Sequence, residues 1–203
     1  DIKDWQVEPL LQLLADLHAN TWSSQAMPWA PEQWDDDRWQ ARLDVAGERY
    51  PELMSSGLRN RLMQLHEEMP DSIAALMDGP TALIHTDSGH DNTLWRPDGS
   101  VVLLDWSNAR FGPPAIDLAA HLTDAGPDRV ISVYVDALHA NGLTDASQEI
   151  VAELEHAVRI FVRGMVGFAG QPSEPSQPRL EKFRGRALDV VRTDLDWIDT
   201  ERR

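Results

Sequence analysis

Cysteine is absent from the 203 residues, which excludes disulfides and thiolate metal sites. Lysine is nearly absent: Lys3 and Lys182 stand near opposite ends and every other base is arginine, which limits where a phosphate-binding lysine could sit. No apolar run approaches the roughly 18 residues of a membrane-spanning helix, and no charged-then-apolar leader suggests secretion, so a cytoplasmic location is expected. Positive charge is scarce as well, with 18 Lys and Arg against 34 acids and a net charge of −16. Such a surface repels nucleic acid and anionic membrane and attracts a cationic small molecule. What is present is enough for a real core: 42% hydrophobic residues, including eight tryptophans, in a chain the size of one ordinary domain.

Helical spacing dominates both ends. Val7, Leu10, Leu11, Leu14, Leu17 and His18 predict an opening amphipathic helix over 7–19. Residues 20–34, with Pro28 and Pro31, read as an irregular packed loop, and the acids after Trp34 suit the first turn of a second helix. A helix over about 50–68 follows, with Leu53, Leu58, Leu62 and Leu65 inward, then a short one over 71–78 that stops at Gly79-Pro80. The pattern then changes. Residues 81–85, 93–96 and 101–105 are short strand-like runs, the last two flanking a Pro97-Asp98-Gly99 turn. Helices return over about 115–122, 127–140, 147–169 and 179–199, the third interrupted by Gly164 and Gly167. The expected fold class is α+β and mostly helical, around a small β-hairpin element.

The chemistry gathers on that element. In His85-Thr86-Asp87-Ser88-Gly89-His90-Asp91-Asn92, Asp87 follows a strand directly, beside a glycine, so its carboxylate points into a loop. It can orient an attacking hydroxyl, or simply bond its own backbone as a turn-forming aspartate. Asn92 and Asp105 bracket the hairpin, and one amide with one carboxylate can hold Mg²⁺ on phosphate oxygens. Each has a plainer role as a turn residue, but the three together are the only such set at meaningful spacing in the chain.

The stretch resembles the catalytic core of the aminoglycoside phosphotransferase and choline kinase-like family, relatives of protein kinases. That family's pattern is His-Gly-Asp, four residues, Asn, a hairpin ending in Ile-Asp-Trp or Ile-Asp-Phe, then Gly-x-Pro-x-x-Asp-Leu-Ala. Here it runs His85-Thr86-Asp87, Asn92, Leu104-Asp105-Trp106 and Gly112-Pro113-Pro114-Ala115-Ile116-Asp117-Leu118-Ala119, and Leu14–His18 resembles the helix entering the family's C-terminal lobe. Four elements in order make a specific match. The resemblance implies a protein kinase-like C-terminal lobe over 1–203, with Asp87 as the catalytic aspartate and Asn92 and Asp105 as magnesium ligands. His85 would brace the catalytic loop and Asp117 would tie down its backbone. ATP would be the phosphoryl donor. Three positions depart from the pattern: Thr86 stands in place of glycine, His90 in place of a frequent proline and Asp91 in place of a usual glycine. Before His85 there is no glycine-rich covering loop and no lysine after Lys3, so the nucleotide-clamping N-terminal lobe is expected to lie outside this chain. The start at Asp1, without Met and just before the interlobe helix, suits a fragment of a longer protein.

The expected function is therefore transfer of the ATP γ-phosphate to a hydroxyl of a small molecule, with a cationic antibiotic such as an aminoglycoside favoured by the acidic charge. Asp124 and Glu153 are the candidate acceptor-binding acids, with Asp128, Glu155, Trp22, Trp29 and Trp34 behind them; surface acids are usually solvated and loop tryptophans usually pack. His121 and His156 read as ordinary packing or surface residues. Two other readings compete. One is a non-catalytic remnant that binds a ligand or partner without turnover. The other is a Zn²⁺ or Mn²⁺ hydrolase using His85, Asp87, His90 and Asp91, although no second His/Asp cluster supports it.

Overall fold

Val7, Leu10, Leu11, Leu14 and His18 line the buried face of α1 (Asp4–Thr21) in the computed structural model. The structure describes residues 4–23, 35–171 and 178–201. The helix begins at Asp4 rather than near Val7, and Pro9 lies within it. The chain folds as two units, residues 1–29 with 74–157 and residues 30–73 with 158–203.

In the first unit α1 packs on α7 (Pro127–Ala140), which buries Val130, Tyr134 and Leu138 at four-residue intervals. The sequence fixes where α7 stops. Gly142 adopts φ +85°, and the Gly142 and Leu143 amides bond back to the His139 and Leu138 carbonyls. Only glycine takes this left-handed closing position without strain. The unit also carries four short strands, two of which pack on α1. β1 (Ala82–Ile84) pairs antiparallel with β4 (Arg110–Gly112), in the register Ala82↔Gly112. β2 (Thr93–Trp95) pairs antiparallel with β3 (Val101–Leu103), in the register Thr93↔Leu103. The β2–β3 turn closes through Arg96 and Ser100, with Gly99 at φ +86° and the Asp98 carboxylate accepting from Ser100. Residues 85–109 thus leave the molecule at β1 and return at β4, an excursion pinned at its base.

β4 is not anticipated by the sequence: Arg110-Phe111-Gly112 has no alternation, and its partner lies 28 residues away in the pair Leu83↔Phe111. The helix expected over 115–122 is two pieces, α5 (Ala115–Ala119) and α6 (Leu122–Ala125), with His121 at the joint.

In the second unit, α2 (Asp36–Arg49) starts on Asp35, whose carboxylate accepts from the Arg38 amide, and buries Trp39, Leu43 and Ala46. Pro31 and Glu32 lie outside the described residues. Tyr50 closes α2, so α3 (Ser56–Glu67) is shorter than the helix expected over 50–68 and starts on the Ser55 hydroxyl. It buries Leu62 and Leu65, whereas Leu53 and Leu58 are half-buried. α4 (Met69–Met77) runs from this unit into the first. α8 (Ala146–Ala169) is one continuous helix through Gly164 and Gly167, not the interrupted helix expected. Each glycine costs about 1 kcal/mol in a helix, less than burial of Val158, Val162, Val166 and Ala169 on one stripe returns. α9 (Pro178–Glu201) buries Leu188, Val191, Leu195 and Ile198, and Arg61 of α3 grips Asp199 at 2.8 and 3.0 Å.

Candidate active site

Asp117 is the hub of the excursion. It lies on α5, buried, with both oxygens engaged: Oδ2 accepts the His85 amide at 2.7 Å and Oδ1 the Thr86 amide at 2.6 Å. Oδ2 also meets His18 Nε2 at 3.2 Å. Burial alone would raise the carboxyl pKa, but the His18 hydrogen bond and charge, with the two amides, hold it below the ordinary value. An ionised Asp117 therefore clamps the backbone one residue before Asp87.

That clamp meets a strained residue. Thr86 sits at φ +68°, the left-handed region that a β-branched side chain strongly disfavours. Thr86 stands where the family pattern has glycine, and its backbone conformation is one suited to glycine. Two contacts oppose the strain, the Asp117 bond and a Thr86 hydroxyl bond to the Asn108 carbonyl at 3.3 Å.

Asp87 is exposed. Asn92 Nδ2 donates to the Asp87 carbonyl at 3.0 Å, which turns the Asn92 amide oxygen the other way. Asn92 immediately precedes β2, and its carbonyl accepts the Leu104 amide at 2.7 Å, extending the hairpin ladder by one pair. Asp105 follows, so Asn92 and Asp105 stand at the same end of the hairpin, with Asp87 fastened to Asn92. The backbone thus brings all three expected residues together.

Asp105 caps a short 3₁₀ turn (Trp106–Asn108) from a left-handed conformation, φ +55°. Its Oδ1 accepts the Ser107 hydroxyl at 2.6 Å and the Ser107 amide at 3.3 Å. These bonds, with the nearby His85, keep its carboxyl below the ordinary pKa, so it is ionised at neutral pH. The Asn92 amide oxygen and the second Asp105 carboxylate oxygen, each lacking a hydrogen-bond partner among the described residues, are hard oxygens of the kind that Mg²⁺ takes. Such an ion would take its remaining ligands from phosphate and water. No group of three His, Cys, Asp or Glu able to hold a metal occurs among the described residues.

His85 is fully buried, donates from Nε2 to the Leu104 carbonyl at 2.8 Å, and meets Trp106 edge-on at 4.8 Å between ring centroids. It therefore ties the first strand exit to the segment that presents Asp105. The same bond engages Nε2 and leaves the buried Nδ1 without a partner among the described residues.

The weaker candidates have other surroundings. Asp124 is exposed on α6, beside Val7, Leu10, Leu11 and His121. Glu153 is buried against Gly79, where an added Cβ would meet its carboxyl, and its pKa is raised to about 8 by burial and then by Glu149. Asp128 is exposed, Glu155 and Trp22 are half-buried, and Trp29 and Trp34 lie outside the described residues.

Sequence reasoning missed three participants. Ser107 fixes Asp105, and its signal was the Asp-x-Ser spacing of a side-chain turn. His121, expected to be an ordinary packing or surface residue, is buried and pairs with Ser88, with Nε2 to Oγ at 2.8 Å. Burial drives its pKa down to about 4, against the opposing pull of Asp117. Tyr134 meets His18 Nδ1 at 2.6 Å, a contact across 116 residues that leaves no local signature.

With this geometry in place, a family model described as the phosphotransferase enzyme family matches residues 2–154. The chain belongs to that family. The curated proteins include no significant match to this sequence. Among solved structures, the chain is similar to an aminoglycoside phosphotransferase from Alicyclobacillus acidocaldarius, at 20% identity and a TM-score of 0.54, over 98% of this chain and 67% of that one. It is also similar to a type I macrolide 2′-phosphotransferase, at 20% identity and TM-score 0.51, over 94% of this chain and 60% of that one. A Plasmodium vivax ethanolamine kinase matches at 14% identity and TM-score 0.51, over 96% of this chain and 62% of that one. At these identities the likeness establishes the fold: a mostly helical lobe of the protein kinase-like class, as the motif order implied. The chain spans about three-fifths to two-thirds of the length of these phosphotransferase and kinase structures.

Proposed function

We propose that this chain is the catalytic and acceptor-binding portion of an ATP-dependent phosphotransferase acting on a hydroxyl of a small molecule, and that a nucleotide-clamping lobe completes it. The observation that carries the proposal is the fastening of Asn92 to the Asp87 carbonyl at the hairpin end where Asp105 emerges. It supports a reading in which the exposed Asp87 carboxylate works beside oxygens of Asn92 and Asp105, as phosphoryl transfer requires.

In the proposed reaction the exposed Asp87 carboxylate accepts a hydrogen bond from the acceptor hydroxyl and aims its oxygen at the γ-phosphorus. A new oxygen–phosphorus bond forms, the bond from phosphorus to the β–γ bridging oxygen breaks, ADP departs, and the hydroxyl proton passes to Asp87. Bound magnesium would neutralise phosphate charge. Asn92 would contribute its amide oxygen and Asp105 its free carboxylate oxygen to that ion. Ser107 holds Asp105 ionised and oriented, while Asp117 and His85 fix the backbone on either side of Asp87. A net charge of −16 supports a cationic acceptor such as an aminoglycoside antibiotic.

The test is phosphoryl transfer from radiolabelled ATP with Mg²⁺ to a panel of aminoglycosides, a macrolide, choline and ethanolamine, using the intact natural protein. Asp87→Asn is expected to lower kcat by about 100-fold or more while nucleotide affinity stays within about 2-fold. Equal rates in variant and parent would remove Asp87 from its role. Absence of both nucleotide binding and turnover would favour the non-catalytic remnant.

A further inference from the structure

Ser88 directly follows the exposed Asp87, and among the described residues it is the one buried side chain on the loop from Thr86 to Asn92. Its hydroxyl lies 2.8 Å from Nε2 of the buried His121. Burial keeps that ring neutral at neutral pH, and a serine hydroxyl can donate or accept, so it pairs with either tautomer. The histidine has a firm base. It stands at the joint of α5 and α6, where its amide donates to the Leu118 carbonyl at 2.9 Å and its carbonyl accepts the Ala125 amide at 3.1 Å. Val7, Leu10 and Leu11 of α1 lie beside it. The pair thus ties the loop after Asp87 to the helical body of the first unit.

The turn pinned in this way carries both carbonyls that hold Asn92. The Asn92 backbone amide donates to the Gly89 carbonyl at 3.0 Å, and Asn92 Nδ2 donates to the Asp87 carbonyl at 3.0 Å. Ser88 is the residue between those two acceptors. We infer that Ser88 and His121 form a positioning pair: by pinning the turn inward at Ser88 they fix the Asp87 and Gly89 carbonyls, and so set where Asn92 stands relative to Asp87. A buried hydroxyl that leaves its partner goes unsatisfied, so the turn cannot swing outward without losing this bond. Asp117 grips the backbone before Asp87, whereas this pair grips the chain after it, through a separate pair of side chains. The consequence for catalysis rests on the phosphotransferase reading of Asp87; the anchoring of the turn does not.

The experiment compares Ser88→Ala, His121→Phe and His121→Gln with the intact parent protein, by NMR and in turnover. Ser88→Ala deletes one oxygen and leaves the packing in place. It is expected to speed hydrogen exchange at the Asn92 backbone amide by about 5-fold or more, the worth of one neutral hydrogen bond, and to shift the His121 ring-nitrogen resonance. His121→Phe should speed exchange equally, and His121→Gln, whose side-chain amide can still pair with the hydroxyl, should restore slow exchange. In phosphoryl transfer at saturating Mg²⁺, Ser88→Ala should lower kcat by roughly 10-fold or more with KM for ATP within about 2-fold, because misplacement slows the aligned step rather than binding. A lower melting temperature with unchanged exchange and kcat would reduce the pair to packing and overturn the inference. Faster exchange with unchanged kcat would overturn the positioning role as well. Should His121→Phe not fold, Ser88→Ala decides alone. If the parent transfers no phosphate, the proposed function fails, while exchange at Asn92 and the His121 resonance still decide the anchor.

Discussion

Glu153 makes the first unit sensitive to alkali, and replacing it with glutamine isolates the effect. The residue is 8% exposed, and Oε2 has no hydrogen-bond partner among the described residues. Burial first, and Glu149 second, raise its pKa from 4.5 to about 8. The unfolded chain ionises near 4.5, while the folded protein keeps the proton until about 8. Stability from this group is therefore complete below pH 4.5 and is lost as pH rises toward 8. The gap of 3.5 units (8 minus 4.5) sets a ceiling of about 5 kcal/mol, which water screening at the exposed edge reduces to roughly 2–3 kcal/mol. Glu153→Gln carries no such charge. Urea unfolding of parent and variant from pH 4.5 to 8.5 should give similar stabilities at the acid end and a growing advantage for the variant, reaching roughly 2–3 kcal/mol at the alkaline end. Parallel profiles across this range would refute the account of Glu153 as a buried neutral acid.

His121 should act in the opposite direction. Its pKa falls from 6.5 to about 4, so the unfolded chain binds the proton first and stability is lost as pH drops between these values. Relative to His121→Gln, the parent should lose about 3 kcal/mol between pH 7 and pH 4 in urea unfolding. At Thr86, glycine removes left-handed strain, and Thr86→Gly should raise stability by about 1 kcal/mol in thermal unfolding, less whatever the hydroxyl bond to Asn108 contributes.

Local chemistry was the legible part of the sequence. The stripe of α1, the Asp98-Gly99 turn and the order Asp87, Asn92, Asp105 follow from spacing within a few residues. β4 was not legible because its hydrogen bonds are supplied by β1, far away in the chain. His121 and Tyr134 were missed for the same reason: helical spacing says that a side chain faces inward, not which polar group it meets there. The glycines of α8 misled in the other direction, since propensity is local and the stripe that overrules it is not. Thr86 shows a third case: the residue departs from the glycine of the family pattern, yet its backbone stands in the left-handed region that suits glycine.

The central claim is that Asn92 and Asp105 share one divalent cation beside Asp87. Titrating Mn²⁺ into isotope-labelled protein and following paramagnetic broadening tests it directly. The account predicts that resonances of residues 87, 92 and 105 broaden first, and that Asn92→Leu or Asp105→Asn alone abolishes this early loss. Early broadening centred on other surface acids, or unchanged broadening in both variants, would contradict it.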